Sequence, residues 1–510
     1  MAQERRVILA ALLSSFIMVW YLHAFGRTTP QPKASAELTQ PVTPAPEKSK
    51  LQLPEEERVI SIESDDLKVE IGATSGAVRK VVLKKFERLS TGQPLEIGAG
   101  YPIALLQIGS SVNEWKLSAS SQRDARWTHE EDGLSEELRI SLDERAPTFT
   151  IEAVVINRST ADALVPVSVV ASFGRADDLN GRGNPLECVL LTQKQLPWQR
   201  TYLRYFGSRA AINVPRGTDM ATLTERYFCH SIKPSIVPVA ASVLPMEAER
   251  LSASLSASLT LKPGGRQTFL ATSYIGPRDF FRLRDAGFEK ALDLGLLAKI
   301  GLGLMLFLNW IASITHSYGT AVIVLAVVVT VGMSPFTLIS FRSMRKMRDL
   351  QPRIDQLKKK YSNDPKRINQ ETFLLFKENR VSPLSGCLPL VIQIPIFFSI
   401  WSAISHVIEI RGQAFLWISD LSLPDRLARI PPGIDLNLLP ILMAVAMFFQ
   451  TKLSQQQVPQ SGTNEMAKVM SGPIMPIMFG VMFYNLPSCL VLYWLTNSLT
   501  TLAFYKLAKT

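Results

Sequence analysis

The residues of this chain that could do chemistry inside its apolar segments are uncharged. Thr330, Ser334 and Thr337 recur at i, i+4 and i+7, which places them on one helical face. Thr496, Asn497 and Thr500 form a second cluster, and Gln393 and Gln450 sit singly in other apolar stretches. Such hydroxyls and amides hydrogen-bond and hold water; with no base beside them they are not activated as nucleophiles. No catalytic triad, phosphate loop or Cys/His metal spacing accompanies them, and the histidines (His23, His129, His230, His316 and His406) are scattered. No cofactor, metal or enzymatic activity is expected. A polar group inside a bilayer is costly and marks either a watered path or a bond between helices.

The elements that must position these groups are membrane spans. The chain has 510 residues, 47% of them hydrophobic and only 19% charged, which suits a membrane protein with a sizeable soluble part. Apolar runs at 319–341, 384–406, 436–452, 472–486 and 488–507 read as five spans. A sixth run at 7–25, behind Arg5 and Arg6, reads as an uncleaved signal anchor, a cleaved signal peptide being the alternative. In four of the core spans the amides and most of the hydroxyls lie toward the same end; Ser399, Ser402, Ser405 and His406 are the exceptions. That common depth points to a groove open to the cytoplasm and wet at Thr330. The competing reading is interhelical hydrogen bonding, worth about 0.6 kcal/mol per pair.

Between anchor and core the composition changes. Residues 27–58 form a Pro-rich linker. Residues 59–277 read as an extracytoplasmic β-sandwich: LSASLSASLTL at 251–261 alternates with period two, and further β-branched runs are separated by Gly, Pro and Asp turns. Cys188 and Cys229 fall in this region and could pair if it is extracytoplasmic, but sequence alone does not establish the bond. Cys387 and Cys489 lie in apolar segments and read as packing residues.

Residues 278–317 are amphipathic. A full crossing there would place the next loop outside. That loop, 342–380, carries twelve basic residues against five acidic, which the positive-inside rule assigns to the cytoplasm. The stretch 278–317 is therefore expected to be a helix lying in the outer interface, followed by a span at 318–341, a basic helical hairpin at 342–383 and the remaining spans within 384–510. The loop 406–435 has three basic and four acidic residues, as an external loop should. Both termini are then cytoplasmic. The net charge of +11 is explained by this placement, and no nucleic-acid module accompanies it. In the hairpin, Met344 and Met347 begin an apolar stripe, and Lys358, Lys359 and Lys360 could hold it near anionic lipid.

Four strings carry a more specific signal: MRKMRDLQPRI (344–354), PLSGCLPLVIQIPIF (383–397), LPILMAVAMFFQ (439–450) and NLPSCLVLYWLTN (485–497). With the anchor, the β region and the five-span core, the chain resembles the bacterial YidC membrane protein insertases. The resemblance implies a polytopic α-helical protein of the inner membrane with a periplasmic β domain. It implies insertion and chaperoning of nascent membrane proteins, alone or beside the Sec translocon, without nucleotide hydrolysis. A hydrophilic groove would lower the barrier for polar flanks, and the apolar helix would leave into the lipid bilayer along the first and last core spans. It also implies departures. Thr330 stands where the family usually has a groove arginine, and Ala326 and Trp494 stand where a threonine and a tyrosine are common along the exit path. Only KLAKT follows Tyr505, so contact with a ribosome would rely on the hairpin or on partners. A solute transporter and a membrane-anchored envelope enzyme are the alternatives. No inverted repeat or buried charge pair favours the first, and no catalytic constellation the second.

Overall fold

The computed structural model describes residues 57–507, except 89–90, 99–100, 110–113, 175–185, 194–199, 207–211, 237–238, 247–249, 293–297, 362–363, 380–387, 431–433 and 456–473. The expected anchor, the linker up to residue 56 and Cys387 lie outside the described residues. The chain divides into two compact units between Asp293 and Leu294.

The first unit is mainly antiparallel β structure. It opens with β1 (Val59–Glu63), β2 (Leu67–Gly72), β3 (Val78–Glu87), β4 (Pro94–Ile97) and β5 (Ala104–Ile108). A meander follows: β6 (Lys116–Ser120), β7 (Asp124–Glu131), β8 (Leu134–Leu142) and β9 (Thr148–Asn157). Then come β10 (Ala163–Phe173), β11 (Glu187–Gln193), β12 (Arg200–Phe206) and β13 (Ile212–Thr224). Last are β14 (Phe228–Pro234), β15 (Val239–Met246), β16 (Arg250–Leu261) and β17 (Arg266–Pro277).

The expectation of a β-rich domain holds at that level, but the strands do not separate into two independent sheets. Pairing runs β1-β2-β3-β5-β10-β16-β15-β13 and continues β13-β14-β17-β9-β8-β7-β6. β13 belongs to both halves because its ladder to β15 shifts register between Val214 and Thr218, where Gly217 has φ 100°. Along β16 the alternation read from sequence is real only in the second half. Ser252 and Ser254 are as buried as the leucines, because both faces of the sheet are covered there.

Two polar anchors lie in this unit. The Glu57 carboxylate accepts hydrogen bonds from Thr74 N (2.6 Å) and Oγ1 (2.7 Å), from Ser75 N and Oγ, and from Arg79 (2.6 Å). Burial alone would raise its pKa; the donors on Thr74 and Ser75 outweigh this and hold it below the usual carboxylate range. The chain entering β1 is thereby fixed to the β2–β3 turn. His230 on β14 is fully enclosed, its Nδ1 3.1 Å from the carbonyl of Ser172 on β10 and its Nε2 2.7 Å from Ser273 Oγ on β17. A neutral ring that donates from Nδ1 and accepts at Nε2 satisfies both.

Cys188 and Cys229 do not pair: both are buried free thiols. Cys188 opposes Leu223 of β13 and Cys229 opposes Thr224 of the same strand, so β13 runs between them. Two strand spacings are about 9.5 Å, beyond the reach of a disulfide. Burial pushes both thiols up, Cys229 to about 12.

The stretch 278–317 is not one helix. A short helix α1 (Phe280–Asp285) is capped by Asp279, whose carboxylate accepts from Arg282 N, and ends before Gly287 at φ 76°. Leu283, Phe288, Ala291 and Leu292 pack on Leu191, Met220, Cys229 and Tyr274, so this segment closes the β unit. Only α2 (Ala298–Thr315) remains as the separate apolar helix.

The second unit is mainly helical, with one short antiparallel ladder between Ala428–Ile430 and Ile434–Leu436. Ser317 caps α3 (Tyr318–Asp349), which continues unbroken past the expected end of its span at 341. Leu350 and Pro352 break it, and α4 (Gln351–Lys360) and α5 (Pro365–Glu378) follow. Then come α6 (Leu388–His406), α7 (Leu438–Gln455), α8 (Ile474–Met482) and α9 (Ser488–Leu507). α9 packs on α3 and α7, α2 packs on α3 and α6, and α8 packs on α7.

Two measurements check the β unit. Native protein under non-reducing conditions should resist alkylation at Cys188 and Cys229, and both should alkylate on unfolding without reductant, read by peptide mass spectrometry. Burial holds the His230 pKa down to about 4, against 6.5 when exposed, with the Ser172 bond partly opposing. The unfolded chain therefore binds the proton first. Stability should fall as pH drops from 6.5 toward 4, by roughly 3 kcal/mol. His230→Gln should flatten that limb in urea titrations.

Candidate functional site

The site is built around α9, at the level where its apolar first half gives way to Thr496 and Asn497. Thr330 on α3 has its Oγ1 2.8 Å from Asn497 Oδ1 and 2.6 Å from the carbonyl of Ala326. One hydroxyl proton cannot serve both acceptors. With the amide turned so that its NH₂ faces Thr330, Asn497 donates to the hydroxyl and the hydroxyl donates to Ala326, which satisfies all three groups. Gln393 on α6 reaches Tyr493 OH on α9 at 3.4 Å, a long bond.

The remaining hydroxyls turn back on their own helices. Thr337 donates to Met333 O, Thr496 to Leu492 O, Thr500 to Thr496 O and Thr501 to Asn497 O. This i−4 bonding hides the proton from any partner. Ser334 and Gln450 are half-buried. Of the expected cluster the structure therefore brings together Thr330 with Asn497 directly, and Gln393 with α9 through Tyr493. Thr330 was expected to be wet; it is buried, 8% exposed, beside the fully enclosed Ala326. The helix packing that closes the α3–α9 seam removes it from water.

Trp494 packs with Phe397 (ring centroids 5.1 Å), Phe483 (5.3 Å) and Phe479 (5.6 Å), joining α6, α8 and α9 through rings.

What holds these groups at a common depth is the loop between α6 and α7, which the sequence reading took only as an external loop by its charge. Asp425, 3% exposed, accepts from Leu438 N (2.7 Å) and Leu439 N (2.8 Å) at the start of α7, and from Trp417 Nε1 (3.3 Å). Asn437 donates to Tyr484 O (2.7 Å) and accepts from Arg426 N. Ser488 N and Cys489 N, opening α9, donate to Leu423 O and Leu421 O. A Cβ on Gly319, in the first turn of α3, would overlap the Phe415 ring. Counted from these tied ends, Thr330, Asn497 and Gln450 lie about 14–18 Å along their helices, and Gln393 about 20 Å from His406. Asp425 caps a helix 13 residues away, so no local capping pattern exposes it; Asn437 directly before the apolar run was the readable cue.

In the hairpin, Met347, Leu350, Ile354 and Phe376 form a small core with Leu375 against it. Lys358, Lys359 and Lys360 occupy the last turn of α4, where cations suit the helix dipole. Phe373 and Leu374 are exposed, 63% and 48%. The Met344 side chain lies outside the described residues. Among those residues no group of His, Cys, Asp and Glu could hold a metal ion.

Residues 310–509 match the family model described as 60Kd inner membrane protein. A protein named membrane protein insertase YidC from Syntrophus aciditrophicus is 28% identical over 569 aligned positions, 98% of this chain and 98% of its own. A protein of the same name from Syntrophobacter fumaroxidans is 38% identical over 246 positions, 46% of this chain and 43% of its own. The match thus spans nearly all of one relative and under half of the other. A crystal structure titled as an active YidC insertase aligns with 19% identity and a TM-score of 0.37, over 88% of this chain and 93% of its own.

A double-mutant cycle tests the seam. Thr330→Val and Asn497→Ala should show a coupling of about 0.6 kcal/mol, and not above roughly 2, in detergent unfolding assays. Thr500→Val should lose almost nothing, since its hydroxyl serves only its own helix.

Proposed function

The chain belongs to the YidC family of membrane protein insertases, and from that premise we propose that it inserts membrane proteins into the lipid bilayer and helps them fold. The observation that carries this is the alignment to a named insertase across 98% of both chains. That name favours an insertase over a solute transporter or an envelope enzyme, and a non-enzymatic role goes with it.

The topology is part of the proposal. Among the described residues one helix, α3, is long and apolar enough to cross a membrane, and its 32 residues rise about 48 Å. We read its first part as a span and its charged end as the start of the cytoplasmic hairpin. The apolar stretches of α6, α7 and α9 are shorter. The nine residues of α8 rise only about 14 Å, roughly half of a hydrocarbon core. Exposed faces support lipid contact: Ile441, Val445 and Phe448 on α7, and Ile477 and Val481 on α8. With the anchor this gives six spans, cytoplasmic termini, a periplasmic β domain and an inner-membrane location.

The mechanism follows from the seam. Thr330–Asn497 and Gln393–Tyr493 offer uncharged donors and acceptors that a client's polar flank can borrow. The bonds they make now are weak enough to exchange. Met347, Lys358, Lys359 and Lys360 lie on the hairpin that first meets the client. The Sec translocon and the ribosome are proposed partners, the latter through the hairpin. A photo-crosslinker at Asn497, with one at Ser402 as control, should capture a ribosome-bound nascent membrane protein once its apolar segment emerges. Absence of crosslinks at every chain length, in folded protein, would make the seam purely structural.

A further inference from the structure

The loop 407–437 carries a feature that insertion does not use. Phe415 and Ile418 exchange two backbone hydrogen bonds, each 2.9 Å, closing a two-residue turn over Leu416 and Trp417. Leu416 has φ 54°, while Trp417 is not in the left-handed region. A turn with positive φ only at its first central residue ordinarily takes glycine there. This chain spends a strained position on leucine and leaves the side chain 74% exposed, with Trp417 beside it 39% exposed.

The turn is not loose. Trp417 Nε1 donates to Asp425, the buried carboxylate that caps α7, so its indole N–H is satisfied inward. Phe415 seats against Gly319, which sets the turn at the outer end of α3. A second apolar face ends close by in sequence: Leu306, Trp310 and Ile314 at four-residue spacing on α2 are 48%, 59% and 60% exposed, just before the Ser317 cap of α3.

We propose that the Leu416–Trp417 turn is a wedge seated in the outer-leaflet lipid interface. This rests on reading α3 and α7 as membrane spans. At a span's outer end the medium beside an exposed side chain is the headgroup boundary, where an amphipathic indole is favoured. Burial of the leucine there offsets the strain that its backbone carries. The wedge fixes the depth of the loop, and through Asp425 and Phe415 the depth of α7 and α3.

The test uses the full chain in phosphatidylcholine/phosphatidylglycerol vesicles, in a background lacking the four native cysteines. A polarity-sensitive fluorophore is placed by Leu416→Cys and, separately, by Val445→Cys on the exposed face of α7. Lipids carry a spin-label quencher either near the headgroup or near the acyl end. The Leu416 probe should lose most of its emission to the shallow label and little to the deep one or to aqueous iodide. The Val445 probe should respond to the deep label. If the Leu416 probe responds to iodide and not to lipid while Val445 is lipid-quenched, the wedge is wrong and the span reading stands. If neither responds to lipid, both fall. The same pattern from a Trp417→Cys probe guards against a local effect of relieving the strained turn.

Discussion

A single buried carboxylate organises the helical unit. Asp425 accepts from the two opening amides of α7 and from the indole of Trp417, so it neutralises orphan donors at a helix start and ties the loop tip to them. Around it, Asn437, Tyr484, Ser488 and Leu423 complete a network that joins the beginnings of α7 and α9. Phe415 against Gly319 adds α3. Helices fixed at one end are in register along their length. The coincidence in depth of Thr330, Asn497 and Gln450 is a consequence of that register, not of any direct bond among all three.

Much of this was legible in sequence. Apolar length and the basic loop located the helices, because burial and charge placement act on whole segments. The depth of Gln393, Asn497 and Thr330 was legible for the same reason. What each hydroxyl does was not. A threonine on a helix can satisfy itself on the i−4 carbonyl, and Thr337, Thr496, Thr500 and Thr501 all do so. Periodicity gives the face of a residue but not its rotamer. Thr330 was read as wet because polar residues of four spans shared a depth; close packing of α3 on α9 buries it instead.

In the β unit the readable signal was alternation, and it fails where both faces are covered, as at Ser252 and Ser254. The pairing of Cys188 with Cys229 remained open until the strand order was known, since one intervening strand decides it. The end of the unit was misplaced for a different reason. Asp279 and Gly287 are ordinary helix start and stop signals, but the apolar run beyond them drew the boundary forward into a single long helix.

The uncharged seam constrains how an insertase of this kind can work. A cation fixed in the groove would attract acidic flanks over several ångströms. Thr330 in its place offers only short-range hydrogen bonds, which do not distinguish acidic from basic flanks. Long-range attraction must then come from elsewhere in the chain. In the proposed topology the charged end of α3 and the hairpin after it supply it: of the twelve basic residues between 342 and 380, four lie in the last turns of α3 and the rest follow it. In the proposed mechanism, selection by charge and passage through the seam are thus separate steps on separate elements. The first is screened by salt and the second is not. Raising ionic strength should therefore slow capture of acidic-flanked clients at the hairpin while leaving the Thr330–Asn497 coupling unchanged, a division that a charged groove would not produce.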